Sequence, residues 1–124
     1  MLTHRGTVQS VVRVTGAADV SKLVTDGHVA VLYSPGFGSC WYDPSFPSCL
    51  TDPAVVDWVM AGKPKSQLRE IITYLALAYG EEFGIGGLDQ LAVSWIPEGT
   101  RFVVHDYDGS EYILREDKMP WSVA

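Results

Sequence analysis

Between Pro64 and Gly80 the chain carries its clearest helical period: Leu68, Ile71, Ile72, Leu75, Ala78 and Tyr79 recur three and four residues apart, with proline before them and glycine after. Such spacing lays an apolar stripe along one side of a helix, and the stripe needs a surface to bury against. Burying Leu68, Ile71, Ile72 and Leu75 contributes roughly 6–12 kcal/mol in area terms, which rivals the net stability of a whole domain. This face is therefore predicted to be core. Leu77 lies on the opposite side with Tyr74 at its flank, which points to a self-association surface and a homodimer.

Most other elements read as strands. Thr7 to Val14 is rich in Val and predicts a first strand that ends at Gly16, and Asp19 to Val24 predicts a short helix stopped near Gly27. His28 to Ser34 is a near-continuous apolar run, as a buried strand requires. A helix should start at Asp52-Pro53, capped by Thr51 or Asp52 and closed by Gly62. Leu91 to Ile96, Arg101 to Asp106 and Ser110 to Arg115 predict three strands, separated by a turn at Pro97-Glu98-Gly99 and a two-residue hairpin turn at Asp108-Gly109. The segment after Glu116 should pack Trp121. At 124 residues there is room for one core. The expectation is a single α+β domain over 1–124: a small antiparallel sheet with a C-terminal three-strand meander, packed against two or three helices.

Charge narrows the function classes. The formal net charge of −6 and pI near 4.8 oppose nucleic-acid binding, since phosphate neutralisation needs clustered Lys and Arg. Lys63, Lys65 and Arg69 come closest to a cluster and read as a solvated helix face. No uncharged apolar run approaches the ~20 residues that cross a bilayer, and Met1 to Gly6 lacks the apolar stretch of a signal peptide. A cytoplasmic setting without membrane contact is expected. In that setting Cys40 and Cys49 should be reduced. No CxxC pair or Cys/His cluster has zinc spacing, and no cofactor or metal motif is present.

Three stretches carry a resemblance: Ser34-Pro35-Gly36-Phe37-Gly38-Ser39-Cys40-Trp41-Tyr42, then Gly86-Gly87-Leu88, then the single run from Trp95-Ile96-Pro97-Glu98-Gly99-Thr100-Arg101-Phe102 to Tyr107-Asp108-Gly109-Ser110-Glu111. In this order, over residues 28–115, the chain resembles a group of small accessory proteins encoded by bacteriophages and prophages. The resemblance implies no catalytic residues. It implies a setting, the host cytoplasm, and a mode of action: binding a host or defence-system protein, to inhibit or redirect it.

The loop from Tyr33 to Phe46 holds five of the chain's fourteen aromatics. Aromatics on a loop either cover the core or wait for a partner, and the neighbouring glycines let a backbone or a flat ligand approach closely. Tyr33, Gly36, Phe37, Gly38, Trp41 and Tyr42, with Gly86 and Gly87 from the glycine-rich 80–87 segment, are the candidate binding residues. Trp41 is the expected hot spot. The alternative partner is a nucleotide-like small ligand held between these two loops, although the loop lacks the third glycine and Lys-Ser/Thr pair of a phosphate loop. A third candidate is the acidic cluster Asp106, Asp108 and Glu111. A two-residue turn at Asp108-Gly109 sets Asp106 directly opposite Glu111, an unfavourable pairing of like charges, and His105 beside Tyr112 on the other face. A metal-dependent enzyme built there ranks below both binding readings, because most positions of a calcium loop are missing. Nothing local activates Cys40 as a nucleophile.

Overall fold

The computed structural model describes residues 10–13, 21–36, 40–119, 122 and 124. The expectations for Phe37, Gly38 and Trp121, and for the ends of the first strand, lie outside them. In chain order come β1 (Ser10–Arg13), β2 (Ser21–Thr25), β3 (His28–Tyr33), α1 (Pro53–Met60), α2 (Leu68–Tyr79), β4 (Ala92–Pro97), β5 (Phe102–Tyr107) and β6 (Ser110–Arg115). Single 3-10 turns occupy Pro47–Thr51, Lys65–Gln67, Leu88–Gln90 and Glu116–Lys118. The class is α+β.

The strands form an antiparallel four-stranded sheet in the order β1-β2-β3-β4 and a separate β5-β6 hairpin. Two expectations change here. The stretch predicted as a helix up to Val24 is strand β2 over its described part, Ser21–Thr25. Its signal is Asp26-Gly27, which takes positive φ at both residues (51° and 74°) and pairs Thr25 with His28. That geometry is the two-residue turn that suits the twist of a hairpin. The three C-terminal strands also do not make a meander. β4 pairs along its whole length with β3, from His28↔Pro97 to Tyr33↔Ala92. β3 needs this neighbour: Ala30, Val31 and Leu32 are fully buried, and such a strand leaves no edge to water.

Alternation along the strands divides the core in two. On one face Leu23, Ala30 and Leu32 meet Val55, Val56 and Trp58 of α1 and Ile71 and Leu75 of α2. On the other, Val24, Val29, Val31 and Ile96 meet Leu50, Phe102 and Ile113. Asp52 caps α1 as the sequence predicts, accepting from the Ala54 and Val55 amides, and Gly62 follows the helix with φ 92°. The apolar stripe of α2 is narrower than predicted. Ile71 and Leu75 are buried, whereas Leu68 and Ile72 keep 36% and 41% of their surface exposed. Two buried side chains contribute about 3–6 kcal/mol, half of what the full stripe would. On the far side Leu77 is 82% exposed.

Candidate functional site

At its C-terminal end β3 runs into the glycine- and aromatic-rich loop, and the hairpin β5-β6 meets it there. Asp108-Gly109 turns with positive φ at both residues (56° and 87°), which sets the predicted register Tyr107↔Ser110, Asp106↔Glu111 and His105↔Tyr112. The His105 and Tyr112 rings stack at 5.6 Å. Glu111, only 2% exposed, turns its carboxylate into the loop. Oε1 accepts from the Ser34 amide at 2.7 Å, and Oε2 from the Trp41 and Tyr42 amides at 2.9 and 2.7 Å. The Glu111 amide donates to the Ser34 carbonyl, and the Ser110 hydroxyl to the Pro35 carbonyl at 2.6 Å. This arrangement separates the two carboxylates: Asp106 stays exposed in water while Glu111 turns to the backbone amides of the loop. The acidic cluster is therefore not one site, because Asp106 and Asp108 are exposed and Glu111 is buried. Among the described residues no group of His, Cys, Asp or Glu could hold a metal ion.

The loop lies over the core, which corrects the expectation that Trp41 is a binding hot spot. Trp41 is 1% exposed, its indole Nε1 donates to the Cys49 carbonyl at 3.0 Å, and its ring meets Phe83 edge-on at 5.4 Å. Phe83 also contacts Phe46 and Tyr79. The glycine-rich 80–87 segment thus meets the described part of the loop, with Trp41, Phe46 and Phe83 packed between them. Gly36 is packed so closely that a Cβ there would lie 2.1 Å from the Gln90 side chain. Gly87 is buried at φ 68°, where a glycine turns the chain into the Leu88–Gln90 turn, and Gly86, Tyr33 and Tyr42 are half-buried.

Beside this cluster Asp52 has a second role that capping preferences do not reveal. Its Oδ2 accepts from the Tyr74 and Tyr79 hydroxyls at 2.8 and 2.5 Å, tying α2 to the start of α1. Burial and then the Asp52 carboxylate push both tyrosines well above their ordinary range. Burial likewise pushes the Cys49 thiol up to about 11. A thiol raised in this way is the opposite of an activated nucleophile. Cys40 and Cys49 are both free, with Cys40 exposed.

An open space lies on the second face of the sheet. Leu50, Phe102 and Ile113 cover that face only in part, and a cleft of about 630 Å³ remains. At its floor Val29 keeps 9% of its surface exposed beside the packed Val31 and Ile96, with Phe46, Leu50 and Phe102 as walls and Lys22, Ser48, Thr51 and Thr100 among its polar residues. Ala78 and Tyr79 line it from the end of α2. These residues come from β2, β3, the 45–51 segment, α2, β4 and β5, so no local pattern announces the cleft.

Comparison with protein-family models, curated proteins and solved structures finds no match to this chain.

Proposed function

We propose that this protein acts by binding a small molecule with an apolar body in the cleft over Val29, Val31 and Ile96. One observation carries the reading: at about 630 Å³ the cleft falls within the ~300–1,000 Å³ typical of ligand sites, with the apolar lining and few polar groups that such sites share. In the loop, by contrast, Trp41, Tyr42 and Phe46 pack on the core. The cleft also has little to offer a nucleotide-like ligand, since Lys22 is the one charged side chain among its described lining residues. For an accessory protein of the kind the motifs resemble, holding a small host molecule is a way of acting by binding alone. Engagement of a host or defence-system protein is the other.

Ala78 is exposed and lines the cleft, so Ala78→Trp should fill it without disturbing the core. The neutral dye Nile red should show saturable fluorescence enhancement with the unaltered protein, weakened by about tenfold or more in Ala78→Trp at an unchanged melting temperature. Failure to saturate, or equal affinity in both proteins, would falsify the reading.

A further inference from the structure

We propose that the ligand of this cleft is amphipathic, with a single anionic head, a carboxylate in chemical class, seated on Lys22. The proposal rests on the cleft being the binding site, and adds which chemistry it selects. Leu23 belongs to the first core and Val24 to the second, and strand alternation sets Lys22 on the side of Val24, the side of the cleft. Its exposed position keeps the ammonium in water at the mouth while the floor beneath is apolar, the arrangement in which a long stem covers apolar surface and its charge stays solvated. Among the described residues no carboxylate forms a salt bridge with Lys22. The other polar groups of the lining include the hydroxyl-bearing Ser45, Ser48, Thr51 and Thr100, which can donate to carboxylate oxygens.

The head carries one charge for two reasons. Lys22 is the one charged side chain among the described lining residues, so the site offsets one negative charge. A polyphosphate would also bring several negative charges to a protein of net charge −6.

Decanoate and decanol share a tail and differ in the head, which makes them the probes. Calorimetric titration of the full chain should give tighter binding of decanoate than of decanol. Lys22→Gln should weaken decanoate by about threefold to fivefold, the scale of an exposed ion pair, and leave decanol unchanged. Ala78→Trp should weaken both. If decanoate binds no tighter than decanol, or ignores Lys22→Gln, the anionic head is wrong and the cleft still stands. If neither probe saturates, or Ala78→Trp changes neither, the cleft reading is lost and the head group with it.

Discussion

A carboxylate can leave water without a cation only where fixed dipoles replace its hydration, and Glu111 meets three backbone amides. Glutamine has the same shape but one acceptor oxygen and an NH₂ group that must face at least one of those amides. Glu111→Gln should therefore cost about 1–3 kcal/mol, read as a melting temperature lowered by about 5–10 °C. An unchanged melt would mean that the loop amides find other partners. The position of Glu111 opposite Asp106 was legible in the sequence, because Asp108-Gly109 sets the register locally. Its burial was not, because the amides it serves lie about seventy residues away in the chain. The same dipeptide at Asp26-Gly27 takes the same positive-φ turn. There its signal competes with the short helix that Asp19 to Val24 predict, stopped near the same glycine.

Among the elements, the 34–46 loop shows why composition cannot separate a lid from a binding surface. Both uses demand aromatics beside glycines, and the decision falls to Phe83, which arrives from beyond α2 to meet Trp41 edge-on. Trp41→Ala should consequently lower stability by about 3–5 kcal/mol, as truncation of a core aromatic does, measured from the urea midpoint. A loss under about 1 kcal/mol would return the loop to the role of a surface. Helix α2 was legible in extent and misjudged in depth. Its period is plain, yet α1 and the sheet cover only the line of Ile71 and Leu75. The missing meander has a related cause: strand pattern identifies β4, β5 and β6, but the partner of β4 is chosen by the buried β3, which needs a second neighbour.

For the molecule as a whole, the raised pKa values set a limit on the alkaline side. Cys49 moves from 9.0 to about 11, and Tyr74 and Tyr79 rise above their ordinary 10.0. The folded state thus holds these protons more tightly than the unfolded chain. Their contribution is fully present below pH 9 and is lost as pH climbs from 9 towards 11 and beyond. For Cys49 this amounts to about 2–3 kcal/mol, at 1.36 kcal/mol per unit. Urea midpoints at about pH 8 and about pH 10.5 should show the fall, and Cys49→Ala should reduce it; a flat profile would contradict the burial of these groups. A different consequence follows from the carboxylate that joins positions 77 residues apart. Both helices and β4 lie between Ser34 and Glu111, so that bond closes most of the chain into a ring, and its closure entropy has to be met before any of the loop amides gains a partner. Phe102, a wall of the cleft, stands on the same hairpin as Glu111. Releasing that seam would loosen the cover of the aromatic core and the grip on a ligand together, and a ligand that holds the hairpin down should in turn keep the loop shut.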